Sequence, residues 1–181
     1  MRHWIIAGAA AALISAPAFA ALPVGAKAPE FSADGYQGGK PLKFVLADAL
    51  KKGPVVLYFF PAAHTTGCNI EAHLFADAID KFKAEGATVI GVTAGNLDQL
   101  AVFSTETEHC SGKFPVAADP NRQIASEYKA TLPPGAPAWS DRTSYVIAPD
   151  DEIILSYSNL SPNDHVTQTL DAVTKWRAAH P

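Results

Sequence analysis

Residues 54–73 read PVVLYFFPAAHTTGCNIEAH. The first seven are continuous, β-branched and aromatic, bounded by Gly53 and Pro61, which is the pattern of a strand buried on both faces. Beyond Gly67, apolar residues recur at helical spacing at Ile70, Leu74, Ala78, Ile79 and Phe82 until Gly86 stops the run, so a helix is expected over Gly67–Glu85. Cys68 therefore falls in the first turn of a helix that directly follows a strand. Backbone N–H groups there lack intrahelical acceptors, and the helix dipole adds partial positive charge; both favour negative charge on a sulfur. Thr65 and Thr66 suit the N-cap, and Gly67 lets the chain turn with its amides exposed. On a helical wheel Cys68 shares a face with Ala72, Phe75 and Ile79, which turns it inward. A nucleophile, a metal ligand, half of a disulfide and a packed core thiol all remain open for this residue.

Strands and helices alternate along the rest of the chain. A second buried strand is expected over Ala87–Ala94, then a helix from Leu97 to about His109 with Asn96 as N-cap. A short strand over Phe114–Ala118 and a short helix over Asn121–Ala130 follow. Arg142–Ala148 and Glu152–Ser158 read as a hairpin across Pro149-Asp150-Asp151, and a last helix spans Asn163–Ala179. This order predicts an α/β fold, a thioredoxin-like sandwich with a central mixed sheet flanked by helices.

The N-terminus is of a different kind. Arg2 and His3 precede an apolar run from Trp4, and Ala18-Phe19-Ala20 supplies small residues two apart, so residues 1–20 read as a secretory signal peptide cleaved after Ala20. The run is short, rich in alanine and without a stop-transfer pattern, so no stable membrane insertion is expected after cleavage. Residues 21–181 are enough for one domain with a sizeable core. Periplasmic or secreted localisation follows. Removing Arg2 takes the formal charge from −4 to −5, and no basic stripe is present, which argues against nucleic acid. The two cysteines, Cys68 and Cys110, would enter an oxidising compartment together, where pairing at some stage is expected.

Pro61, Thr65 and Cys68 form the pattern P-x-x-x-T-x-x-C, which resembles the active-site motif of the peroxiredoxin family. With Glu71 three residues after the cysteine, the pieces PVVLYFFP and TTGC look most like the bacterioferritin-comigratory (PrxQ) branch. VGAKAPEFSADG (24–35), FPVAADPN (114–121) and RTSYVIAPD (142–150) are similar to the family's opening strand, its mid-domain strand and turn, and the strand that carries its arginine. The resemblance spans nearly all of residues 21–181. It implies a thiol peroxidase with Cys68 as nucleophile, Thr65 and Arg142 orienting the peroxide, Pro61 shaping and shielding the loop, and no metal or organic cofactor. Physical chemistry asks for the same groups. A thiolate attacking one peroxide oxygen needs donors aimed at the charge that builds on the departing one.

In many PrxQ-type relatives a second, resolving cysteine lies five residues after the first. His73 stands there in this chain. The resemblance then points to Cys110 at the end of the next helix, with an intrachain disulfide recycled by a thioredoxin-like exported reductant; a static bridge and one-cysteine chemistry are the alternatives. Asn69 and His64 also depart from the branch's usual residues. A monomer or weak homodimer is expected. The competing reading from another class is a copper-binding redoxin-like protein using His64, Cys68, His73, His109 and Cys110. Against it, H-x3-C-x4-H fits no standard framework, and His73 would face roughly 140° away from Cys68 on a helix. Thioredoxin-type exchange needs C-x-x-C, and Thr65 occupies the place of its first cysteine. Trp139 and Trp176 are assigned to packing.

Overall fold

The computed structural model describes residues 21–181, so the reading of residues 1–20 as a signal peptide lies outside the described residues. Among these residues, seven strands form one sheet: β1 (Ser32–Gln37), β2 (Lys40–Val45), β3 (Val55–Phe59), β4 (Thr88–Thr93), β5 (Val116–Ala118), β6 (Thr143–Ile147) and β7 (Ile153–Ser158). Their spatial order is β2-β1-β5-β4-β3-β6-β7. β3, β4 and β5 run parallel; β6 and β1 pair antiparallel with β3 and β5, and β7 and β2 pair antiparallel with β6 and β1 in turn. The helices are α1 (Leu46–Leu50), α2 (Thr66–Ala84), α3 (Leu100–Phe103), α4 (Gln123–Glu127) and α5 (His165–Ala179). The expected α/β sandwich with a mixed sheet is the observed one. No helix among the described residues is long and apolar enough to cross a membrane.

Strand periodicity explains why β3 is apolar throughout. Val55, Leu57 and Phe59 face one core cluster with Ile90, Val92, Tyr145 and Tyr128, beneath α1 and α4. Val56, Tyr58 and Phe60 face the other, with Cys68, Phe75, Ile79, Phe82 and Phe103. A central strand covered on both sides has no polar face to show. On α2 the buried stripe is Cys68, Ala72, Phe75, Ala76, Ile79 and Phe82, with Glu71 inside it, whereas Ile70 is 43% exposed.

Two expectations need correction, and one hairpin was not foreseen. The helix expected over Leu97–His109 is a 3-10 turn at Leu97–Gln99, then α3, then turns that carry Cys110. The Ser104 and Thr105 hydroxyls donate to the carbonyls of Ala101 (2.7 Å) and Val102 (2.7 Å), and Gly112 N–H closes on Ser104 O (2.8 Å), so side chains and a returning loop take over the carbonyls that a longer helix would use. Asn96 stands at the N-cap position in the left-handed region (φ 52°), but its amide donates to Ala63 O (2.8 Å) and caps nothing. A hairpin of β1 and β2, missing from the sequence reading, turns through Gly38 and Gly39 with φ of 56° and 75°, a geometry that glycine adopts without strain.

Candidate active site

The site forms where β3 ends and α2 begins. Thr93 Oγ1 donates to Pro61 O (3.0 Å) and Asn96 Nδ2 to Ala63 O (2.8 Å), so the loop after β3 is fastened to the end of β4. Closeness is obligatory there. A Cβ on Gly95 would lie 2.5 Å from Pro61 O and 2.6 Å from Ala62 Cβ. His64 takes φ 59°, an unusual value for a non-glycine residue, and turns the chain toward Thr65. Thr65 holds the N-cap position of α2 in an extended conformation, yet its hydroxyl donates to Ala62 O (3.1 Å). With its proton committed, Thr65 Oγ1 is left with lone pairs that can accept a hydrogen bond.

Cys68 lies in the first turn of α2 and is 1% exposed. Arg142, immediately before β6, reaches it from the facing edge of the sheet. Its Nη2 is 3.5 Å from the Cys68 sulfur, Nε donates to Leu160 O (2.9 Å), and Nη1 donates to Glu71 Oε2. The guanidinium is fixed at three points and 4% exposed. Gly67 leaves it room, because a Cβ there would lie 2.9 Å from Nη2. Residues 142 and 68 are far apart in sequence, and the antiparallel pairing of β3 with β6, Phe59 opposite Thr143, is what brings them together.

Behind the arginine is a polar group that the sequence reading did not assemble. Glu71 is fully buried, and burial pushes its carboxyl up to about 8 against the opposing pull of Arg142. Its second oxygen, Oε1, has no hydrogen-bond partner and lies 3.6 Å from His165 Nδ1. His165 Nε2 donates to Asn159 O (2.8 Å), and burial brings this imidazole down to about 4, so it is neutral with its lone pair on Nδ1. Ser144 Oγ donates to that nitrogen (2.8 Å). With its lone pair taken by the Ser144 hydroxyl, the neutral imidazole offers Glu71 Oε1 neither a hydrogen bond nor a second cation. Burial, opposed by Arg142, raises the Glu71 carboxyl and so favours a proton on it at neutral pH. An acid within the apolar stripe of α2, and the i, i+4, i+8 run His165, Thr169, Val173 on α5, were the available clues.

Cys110 is fully buried, and its thiol is pushed far above the usual range by burial, with Glu106 adding to the effect. Both cysteines are free, and they belong to one core cluster with Tyr58, Phe75, Phe103 and Phe114. Tyr58 stacks on Phe75 (4.4 Å between centroids) and its hydroxyl has no partner. Burial raises this phenol well above its ordinary value, and Cys110, Glu71 and Cys68 raise it further.

The ligand set of the copper reading is not gathered. Cys68 faces Arg142, His73 pairs with Asp77 (3.4 Å) on the outer side of α2, and Cys110 is in the core. His64 and His109 do meet, around Glu106. A cavity of about 630 Å³ between β1 and α4 is lined by neither Cys68 nor Arg142.

The AhpC/TSA family model matches residues 24–156. The chain belongs to the AhpC/TSA family. It is 29% identical over 159 residues to the chloroplastic peroxiredoxin Q of Sedum lineare, covering 84% of this chain and 78% of the relative, and 30% identical to that of Gentiana triflora, covering 84% and 67%. Among solved structures, peroxidoxin BcpB from Mycobacterium tuberculosis matches with a TM-score of 0.72 at 26% identity, over 84% of this chain and 96% of that one. As a member of the family with PrxQ relatives, the chain is a peroxiredoxin-type thiol peroxidase.

Proposed function

We propose that Cys68 is the peroxidatic nucleophile of an exported peroxidase that reduces hydrogen peroxide or organic hydroperoxides. The observation that carries this reading is the Arg142 Nη2 contact at 3.5 Å to a sulfur already placed over the free amides of the first turn of α2. Cation and amides stabilise negative charge on sulfur, and the thiolate is the reactive form. A peroxide entering beside Thr65 donates its O–H to Oγ1, which presents one oxygen to the sulfur. Attack forms the S–O bond as the O–O bond breaks; sulfur is oxidised to the sulfenic acid, and the departing oxygen leaves as hydroxide or alkoxide and takes a proton. Pro61 closes the loop over the sulfur, its carbonyl held by Thr93.

Cys110 completes the cycle as the resolving thiol. Its sulfur attacks the Cys68 sulfenic acid, an intrachain disulfide forms and water leaves. Because Cys110 is buried and uncharged, the segment that carries it must open first. That segment consists of turns after a four-residue helix, which supports local opening at low cost. A thioredoxin-like dithiol restores the two thiols and is itself oxidised. The N-terminal twenty residues support export, which places both enzyme and reductant in the periplasm or outside the cell, with the chain acting as a monomer or weak homodimer.

The test is to treat the reduced protein with one equivalent of peroxide and map both cysteines by mass spectrometry. A Cys68–Cys110 disulfide in the parent and a Cys68 sulfenic acid in Cys110→Ser are expected. Peroxide turnover that survives Cys68→Ser contradicts the assignment of the nucleophile.

A further inference from the structure

Three side chains outside the reacting pair converge on one point. His64 Nε2 is 2.7 Å and His109 Nδ1 is 2.8 Å from the same oxygen, Glu106 Oε2. The three candidate ligand atoms lie within 4.8 Å of one another. His64 belongs to the loop between Pro61 and Cys68; Glu106 and His109 belong to the turns that carry Cys110.

The surroundings are those of a ligand site more than of a chance contact. Gln99 Oε1 lies 2.6 Å from His64 Nδ1 and accepts its proton, so Nε2, 2.7 Å from Glu106 Oε2, is the nitrogen an ion would take on displacing the proton shared with the carboxylate. An outer acceptor on the second ring nitrogen is the usual companion of a metal-bound histidine. Phe103 fixes both rings, stacking on His109 (4.9 Å, 21°) and meeting His64 edge-on (5.3 Å, 88°). Side chains of His64 and Glu106 remain 28% and 34% exposed, so an ion has a way in.

We propose that His64 Nε2, His109 Nδ1 and the Glu106 carboxylate form a three-ligand site for a divalent transition-metal ion, zinc by the chemistry of its donors. Two imidazoles and a carboxylate suit zinc at bonds of about 2.0–2.2 Å, with a fourth position left to water. Tetrahedral geometry at those lengths separates donors by roughly 3.3 Å, so the donors must part by about half an ångström. Rotation of the half-buried Glu106 side chain supplies that movement. This site shares His64 and His109 with the His/Cys copper set but replaces its thiolates with the Glu106 carboxylate.

A bound ion would tie the catalytic loop to the Cys110 segment. It therefore opposes the opening that disulfide formation requires. This consequence rests on the assignment of Cys110 as resolving thiol, whereas the site itself does not.

Binding is tested first, with both thiols removed as Cys68→Ser and Cys110→Ala. Cobalt(II) titrated into this protein should bind at one equivalent with tetrahedral visible absorption and no sulfur charge-transfer band, and zinc should displace it. Glu106→Gln and His109→Gln should each weaken binding more than ~10-fold, the lower end of the loss seen for outer partners alone. Gln99→Ala, which keeps every ligand, should weaken it ~10-fold and guards against a misfolded ligand variant. Absence of one-equivalent binding, or binding indifferent to all three substitutions, overturns the site. With the thiols restored, zinc should slow peroxide-driven disulfide formation in the parent and not in Glu106→Gln. Equal rates overturn the tie between the loops while leaving the binding result intact.

Discussion

Replacing Glu71 by Gln tests whether the acid behind Arg142 holds a proton. A carboxyl raised in the folded state contributes stability that is full below its unfolded value, near 4.5, and is lost as pH rises through its folded value, about 8. At about 1.4 kcal/mol per unit, some three and a half units correspond to about 5 kcal/mol lost by pH 9, of which about 3 kcal/mol is already gone at pH 7. Glutamine has the same shape and accepts from Arg142 with its oxygen without titrating. The stability of Glu71→Gln relative to the parent should therefore rise by about 3 kcal/mol between pH 4 and pH 7. Urea denaturation of both reduced proteins at several pH values measures it. A difference that stays flat refutes the reasoning, and one that falls with pH shows Glu71 ionised beside its arginine at neutrality.

His165 has the opposite sign, which sharpens the test. Its folded value is depressed to about 4 from 6.5, so its contribution is full above pH 6.5 and is lost as pH falls toward 4, by about 3 kcal/mol in all. Between pH 4.5 and 6.5 the two groups cancel, and the parent should show no net slope from this pair. Removing Glu71 uncovers the histidine alone, with stability rising about 1.4 kcal/mol per pH unit over that window.

Arg142→Met removes the cation that contacts the Cys68 sulfur and should slow peroxide reduction roughly 10²–10³-fold, the cost of losing one preorganised donor; Arg142→Lys keeps the charge without the three-point fork and should fall between parent and Met. Single-turnover kinetics with one equivalent of peroxide reads this, and a parental rate in Arg142→Met defeats it. Gly67→Ala places a Cβ where Nη2 now lies at 2.9 Å, so it should slow the same step about tenfold while leaving the fold intact by circular dichroism. Tyr58→Phe deletes a buried hydroxyl without a partner and should raise stability by ~1 kcal/mol in urea denaturation.

Legibility from the sequence followed the range of the interactions. β3 and β4 were readable because burial on both faces leaves an uninterrupted apolar run, and the β6–β7 hairpin because its turn is short and polar. β1 and β2 were not, since they bury one face and part of another and are joined by two glycines whose hairpin meaning depends on what they pair with. The helix expected after Asn96 failed on competition between side chain and backbone at Ser104 and Thr105, which apolar spacing does not register. At the site, Cys68 at a helix mouth was a local inference and is borne out as a placement. Arg142 came from resemblance, and Glu71, His165 and Glu106 entered the geometry through contacts between distant segments that no periodicity encodes.

These contacts share one electrostatic logic. A single guanidinium stands between two acids, the Cys68 thiol and Glu71, and the protein interior does not support two anions around one cation. The Asn159 carbonyl settles which of them yields. By taking the Nε2 proton of His165 while Ser144 donates to Nδ1, it keeps that imidazole neutral, so Glu71 finds no second cation on this side. The positive charge of Arg142 is then left for the sulfur. On the role proposed for Cys68, oxidation to the sulfenic acid takes the anion away from Arg142, and the Glu71 carboxyl then ionises more readily beside the freed guanidinium. Redox state at Cys68 and proton occupancy at Glu71 are thus linked through one side chain, and each must shift the other by the same free energy.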